Sequence, residues 1–165
     1  MVLFSNPSID AIVSIKAVIE EELSKLVHNE ILSESPTDVY VIERKAVNLF
    51  HPFFNTIMRT HHIASIGLYK FAPVARIRAH AQKNNHKSIL LTDAIGNGDE
   101  VENVIKILID SGVSVFKVCG YLAKKKGIKK LKELFPQITF KFINETEDNE
   151  TYNKALWRLT PVYHS

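Results

Sequence analysis

The 165-residue chain is predicted to adopt an α/β fold, an open, mainly parallel five-stranded sheet with helices on both faces. Three observations predict it. Short apolar runs without polar alternation, such as Ile89-Leu90-Leu91, read as strands buried on both faces. Segments of helical periodicity alternate with these runs, as the right-handed crossovers between parallel neighbours require. Two of the strands end in charged or glycine-bearing loops, and open sheets of this kind bind ligands beyond the carboxyl ends of their strands.

Residues 9–27 set Ile12, Ile15, Val18, Ile19, Leu23 and Leu26 at helical spacing, with Glu20, Glu21, Glu22 and Lys25 between them, which predicts an amphipathic helix. The tract 32–37, containing Pro36, ends that pattern, and Asp38-Val39-Tyr40-Val41-Ile42 follows as a first buried strand. Residues 46–60 return to helical composition; Pro52 inside the span favours a helix that starts late, near the proline. Residues 62–68 form a second strand diluted by Ala64, Ser65 and Gly67. Pro73 fits the first turn of a helix over 73–83, and Ser88 to Leu91 is the third strand. Val101, Val104, Ile105, Leu108 and Ile109 mark a helix over 99–110, stopped at Ser111-Gly112 before a fourth strand at 113–119. A helix over 123–135 carries Ile128, Leu131, Leu134 and Phe135 and closes at Pro136, and residues 138–143 alternate as a fifth, edge strand. The remainder, 144–165, reads as a tail that is polar until Leu156-Trp157.

The 45% hydrophobic content supports one sizeable core, and no Pro/Gly/Ser-rich stretch divides the chain, so one domain spans 1–165, with an N-terminal helical segment at 1–35 and the C-terminal tail at 144–165. A net charge of +3 is too small to argue by itself for a nucleic-acid or membrane partner. No apolar stretch approaches the length of a membrane span and the N-terminus lacks a signal-peptide pattern, so a cytoplasmic location is expected. Cys119, the single cysteine, is expected to be a small buried hydrophobe.

Residues 88–101 carry the chemistry. The apolar run ends on Asp93 and passes through Gly96 and Gly98 into a helix whose first amides and positive dipole end suit an anion. The loop Glu43-Arg44-Lys45 follows the first strand and supplies two cations, against the plainer reading of a solvated turn. In these two loops the chain resembles a type I phosphoribosyltransferase, whose binding loop runs as two acids, two apolar residues, a spacer, Thr-Gly, a small residue and Thr. Thr92 and Asp93 fall on the paired acids, Ala94-Ile95 on the apolar pair, Asn97-Gly98 on Thr-Gly and Glu100 on the last Thr. Only Asp93 and Gly98 match in kind, so the phosphoribosyl pyrophosphate-binding motif is degenerate. Glu43-Arg44-Lys45-Ala46 falls where the family holds pyrophosphate, with Ala46 in place of the usual glycine. The resemblance runs from about Asp38 to Ile143; a basic helix at 73–83 stands where the family has a flexible loop.

The resemblance implies a phosphorylated ribose or nucleotide ligand. Asp93 would hold sugar hydroxyls, the amides of Gly96, Asn97, Gly98 and Asp99 a phosphate, and Arg44 and Lys45 a second phosphate or pyrophosphate, with Ala94 a further ligand-binding residue of the loop. A catalytic chain would transfer ribosyl phosphate to a base, with Mg2+ carried by the pyrophosphate. Asp99 and Glu100 bring negative charge to the expected phosphate, and their other explanation is dipole compensation in a helix's first turn.

Two further readings stay open: a catalytically inactive nucleotide-sensing or assembly module on the same fold, and a nucleic-acid-binding domain led by the six lysines within residues 124–132. Solvation is the default explanation of that lysine helix, and of Arg76 and Arg78. The histidines and Cys119 show no metal-ligand spacing, so no metal site is expected. Trp157 is expected to pack against its own domain. A homo-oligomer is compatible with all of these readings.

Overall fold

The computed structural model describes residues 9–67 and 87–163. Helix α1, Ile9–Val27, runs into a π-helical turn, His28–Leu32, and strand β1, Asp38–Ile42, follows. Then come α2 (Lys45–Phe50), a 3-10 turn (His51–Phe53), α3 (Phe54–Ile57) and β2 (His62–Ile66). The second half contains β3 (Lys87–Leu91), β4 (Ala94–Ile95), α4 (Asp99–Asp110), β5 (Ser114–Lys124), α5 (Lys125–Leu134), β6 (Thr139–Thr146) and α6 (Asn149–Tyr163).

Among the described residues the sheet has six strands, and every pairing in it is parallel. The expected five become six because β3 and β4 pair with successive stretches of the same edge of β5, Lys87–Leu91 with 114–119 and Ala94–Ile95 with Leu122–Ala123. The other edge of β5 carries β6, with Leu122 opposite Asn144 and Ala123 opposite Glu145. There are thus five positions across the sheet, in the order β2, β1, β3 with β4, β5, β6. All five residues of β1 are buried, as the unbroken apolar run predicts for a central strand.

Several elements differ from the sequence expectation for physical reasons. The helix after β1 starts early, at Lys45, because Ala46, Leu49 and Phe50 are buried there; Pro52 is absorbed in the 3-10 turn, where its missing N–H costs little. β5 continues to Lys124, five residues beyond Cys119, because β4 and β6 pair with its two edges, and α5 starts correspondingly later. The segment 144–165 is no polar tail: its first residues finish β6, and α6 then forms where the Asp148 carboxylate accepts from the Thr151 amide at 2.6 Å and its hydroxyl at 2.9 Å. Trp157 on α6 is 74% exposed and does not pack at home. The expected helix at 73–83 lies outside the described residues, as do Arg76 and Arg78.

Helix α1 lies on the face of the sheet that presents Lys117, Cys119 and Tyr121. Ile19, Leu23, Leu26 and Val27 bury its apolar stripe, and complete burial of a Leu or Ile side chain stabilises by about 2 kcal/mol. Polar contacts fix its register: the Tyr121 hydroxyl donates to Glu22 at 2.8 Å, and the buried Lys117 ammonium donates to Glu34 at 2.7 Å, to Glu30 at 3.3 Å and to the Glu30 carbonyl at 3.0 Å. Burial pulls the Lys117 pKa down, but the hydrogen bonds from Glu34 and Glu30 prevail and hold it above its ordinary value. Cys119 is buried, as expected. His61 is buried and His62 exposed, so the adjacent rings point apart.

Lys117→Met should remove this staple and leave two partly covered carboxylates without their cation. We expect a loss of about 2 kcal/mol, read as a lowered urea midpoint at unchanged slope.

Burial also pushes the Cys119 thiol up to about 12 from its ordinary 9.0. The unfolded thiol ionises first, so its contribution to stability is complete below about pH 9 and disappears as pH rises towards 12. Urea unfolding across about pH 8 to 10 should show falling stability, to which Tyr40, Tyr121, Tyr152 and Tyr163, whose pKa values burial also raises, add increasingly towards pH 10. Cys119→Ala should flatten that fall relative to its own value at neutral pH.

Candidate functional site

Strand β1 has β2 on one side and β3 on the other, so the chain reverses its direction of travel across the sheet between β1 and β3. The crevice beyond the carboxyl ends of those two strands is the topological switch point, where open parallel sheets receive ligands. A cavity of about 1130 Å3 lies there. Arg44, Lys45, Asp93, Ala94, Gly96, Asn97, Gly98 and Asp99 all line it, so two loops some fifty residues apart in the chain meet in one place.

The first loop leaves β1 at Glu43, whose amide donates to the Ile66 carbonyl at 3.0 Å and whose carboxylate accepts from Ser65 at 3.1 Å. That anchors the strand end and leaves Arg44 and Lys45 exposed at the rim. The second loop is tied by its backbone. Thr92 donates to the Cys119 carbonyl at 3.0 Å, and the Asp93 carbonyl accepts from the Tyr121 and Leu122 amides at 3.1 and 3.2 Å. Gly98 then takes a φ of 91°, a left-handed turn that favours glycine, and becomes the N-cap of α4 without any side-chain cap. Gly96 does not adopt such a φ.

Helix α5 is pressed against this loop. A Cβ on Gly127 would stand 2.3 Å from the Gly96 carbonyl oxygen, so only glycine permits that approach. Lys130 on the same helix pairs with Asp99 and, at 3.3 Å, with Glu102. The Asp99 bond raises the Lys130 pKa, and bonds from Lys106 and then Lys130 lower that of Glu102. Asn97 folds over the loop, accepting from the Asp99 amide at 3.0 Å and donating to the Asp99 carboxylate at 2.9 Å. Asp99 therefore serves the α4 terminus and α5, and its amide is engaged by Asn97. Lys124 and Lys125 also contact protein groups, Asn149 at 2.7 Å and Glu147 at 3.4 Å, so the lysine helix is in part a set of intramolecular ties.

Helix α6 supplies what the sequence reading missed. Tyr152 and Leu156 line the cavity, and the Tyr163 hydroxyl donates to Asp93 at 2.7 Å. Tyr163 is held in turn by Asn48, which donates to its carbonyl at 3.0 Å, and by the Lys45 ammonium 5.4 Å from its ring centre. Burial, followed by the charge of Asp93 and the hydrogen bond to it, raises the Tyr163 pKa well above the ordinary range, so this hydroxyl is a donor at neutral pH. Lys124 stands 4.8 Å from the Tyr152 ring centre. Two signals pointed to this helix: Asp148 three residues before Thr151, and the spacing Tyr152, Leu156, Leu159, Tyr163.

Among the described residues no cluster of His, Cys, Asp and Glu is arranged to hold a metal ion, and no helix is long and apolar enough to cross a membrane.

No protein-family model and no curated protein matches this sequence. Solved structures do match it. The orotate phosphoribosyltransferase of Aeropyrum pernix superposes with a TM-score of 0.61 at 10% identity, covering 92% of this chain and 83% of that one. The adenine phosphoribosyltransferase of Giardia lamblia, in complex with 9-deazaadenine, gives 0.63 at 12% identity over 88% and 89% of the two chains. That of Trypanosoma brucei, in complex with AMP, pyrophosphate and ribose 5-phosphate, gives 0.58 at 12% identity over 87% and 71%. The fold is that of the type I phosphoribosyltransferases. At these identities the likeness establishes architecture, and the chemistry must be argued from the cavity.

Tyr163→Phe should release Asp93 and cost about 1.5 kcal/mol in urea unfolding, the value of a hydrogen bond to a charged acceptor. A double-mutant cycle with Asp93→Asn should return a coupling of about 1 kcal/mol, which separates this contact from general packing losses.

Proposed function

We propose that this chain binds a phosphorylated ribose compound or a nucleotide in the cavity between the ends of β1 and β3. The observation that carries the reading is the convergence of the Arg44-Lys45 loop and the Asp93–Asp99 loop on a single cavity at the switch point of the sheet. Its volume suits a nucleotide-sized ligand, and its two loops differ in chemistry as such a ligand requires. Asp93 accepts from sugar hydroxyls once the Tyr163 hydroxyl yields. The amides of Gly96 to Gly98 and those that follow Asp99 in the first turn of α4 receive a phosphate, favoured by the helix dipole, while the Asp99 amide is held by Asn97. Arg44 and Lys45 neutralise a second phosphate or pyrophosphate.

Where the chain turns over, the reaction is transfer of ribosyl phosphate from phosphoribosyl pyrophosphate. The bond from ribose C1 to the pyrophosphate oxygen breaks and its electron pair leaves with pyrophosphate; a base nitrogen forms the new bond to C1 and releases its proton to solvent. Mg2+ enters with the pyrophosphate as part of the substrate. In this reading Asp93 is the acid that stabilises the positively charged sugar.

A second reading, a binding module without turnover, is favoured by one specific arrangement. Asp93 is already engaged by Tyr163, and Asp99 and Glu100 line the cavity beside the proposed phosphate position. Both readings predict binding; they differ in whether pyrophosphate is then released.

Phosphoribosyl pyrophosphate with Mg2+, at about a hundred times its dissociation constant, should stabilise the fold by about 2.7 kcal/mol and raise the melting temperature by roughly 5–10 °C. Asp93→Asn should weaken that ligand at least about tenfold. No shift at millimolar ligand would overturn the proposal. Pyrophosphate release on adding a nucleobase would establish transfer, and binding without release would establish the second reading.

A further inference from the structure

A second cavity, of about 640 Å3, lies between α2 and α6. Arg44, Lys45, Asn48, Asn153, Trp157 and Thr160 contribute to its lining. Among the described residues that line it, the two charged groups, Arg44 and Lys45, are both cations and none is a carboxylate. Trp157 is 74% exposed and is the only tryptophan of the chain. An indole held in water beside two cations, with two carboxamides and a hydroxyl around it, offers a stacking surface, positive charge and hydrogen-bonding groups within one small volume.

The walls of this groove are fixed. Asn48 on α2 donates to the Tyr163 carbonyl at 3.0 Å, which ties α2 to the end of α6, and the Lys45 ammonium is held 5.4 Å from the Tyr163 ring centre. The space fits a substituted aromatic ring. A cationic ligand would meet two like charges; an uncharged ring would leave both without a counter-ion.

We propose that this groove binds a planar aromatic ring that carries an anionic group, with the ring stacked on Trp157 and the anion at Arg44 and Lys45. Because Arg44 and Lys45 also line the larger cavity, an anion in the groove competes for the same cations as a pyrophosphate there. The inference does not rest on the ribose reading: Asp93 lines the larger cavity and reaches the groove only through the hydroxyl of Tyr163, an acceptor role that Asn at that position keeps.

The emission of the single tryptophan reports on this site in the full chain. Phenyl phosphate, which has a ring and an anion but no sugar, should change it saturably. Inorganic phosphate and phenol, each holding half of the recognised chemistry, should bind at least about tenfold more weakly. By calorimetry, Trp157→Ala and the double variant Arg44→Ala/Lys45→Ala should each weaken phenyl phosphate by about tenfold or more, and Trp157→Phe should restore most of the affinity. Asp93→Asn should leave phenyl phosphate binding unchanged, whatever it does to phosphoribosyl pyrophosphate. The inference is overturned by a quench that stays linear with concentration, by an unchanged dissociation constant in Trp157→Ala, or by loss of phenyl phosphate binding in Asp93→Asn, which would move the ring into the larger cavity.

Discussion

The carbonyl oxygen of Asp93 accepts from two successive amides of β5, Tyr121 at 3.1 Å and Leu122 at 3.2 Å, and the shape of the rim depends on that fork. Each such bond contributes about 1 kcal/mol net, but their geometric effect is larger than their energy. With Thr92 bound to Cys119, the chain leaving β3 cannot swing away from the sheet, and it pairs again with β5 as β4. The left-handed turn at Gly98 and the start of α4 come within a few residues. Asp93 thus presents its carboxylate from a backbone held on the far side by the central sheet, so its position is set before any ligand arrives. The same loop is confined from beneath by Gly127, and the contact of one backbone with another leaves it little room to move.

The charges of the larger cavity depend on how its acids are engaged. Glu43, Asp93, Asp99 and Glu100 line it together with Arg44 and Lys45. Three of these carboxylates accept hydrogen bonds from protein donors: Glu43 from Ser65, Asp93 from Tyr163, Asp99 from Asn97 and Lys130. Acids engaged in this way repel an incoming anion less than a bare count of charges suggests, since their donors and cations offset the local field. On the opposite loop, Lys45 meets the aromatic ring of Tyr163, which leaves its charge in place. The two cations of the crevice therefore stand at its β1 end, beside Glu43, and the acids Asp93, Asp99 and Glu100 at its β3 end.

Most of the frame was legible because its signals are local. The stripes of α1 and α4 and the unbroken apolar runs of β1 and β3 are periodicities that burial then confirms. The loops at 43–46 and 92–100 were legible as strand ends, and their meeting is a consequence of strand order. What the sequence concealed depends on partners far along the chain. Nothing near Gly120 to Lys124 announces a strand; its two edges are claimed by β4 and β6. The role of Gly127 is hidden in a lysine-rich stretch, since the carbonyl that requires a glycine there belongs to Gly96. Trp157 misled for the opposite reason: hydrophobicity predicts burial for an average indole, and this one faces a groove lined by cations.

Tyr163 connects the two halves of the site. Its hydroxyl reaches the acid after β3, its carbonyl is held by Asn48 on α2, and its ring lies against Lys45. A ligand that claims the Asp93 carboxylate must displace the hydroxyl, and the tyrosine cannot shift without disturbing its contacts with α2. The energy of those contacts is therefore subtracted from the affinity of any ligand that engages Asp93, and it is not subtracted from one that uses Arg44 and Lys45 alone. Occupation of the acid end and release of the Tyr163 hydroxyl are thus a single event. By reciprocity, any group that draws Tyr163 away from Asp93 strengthens the binding of a ligand to that carboxylate by the same factor.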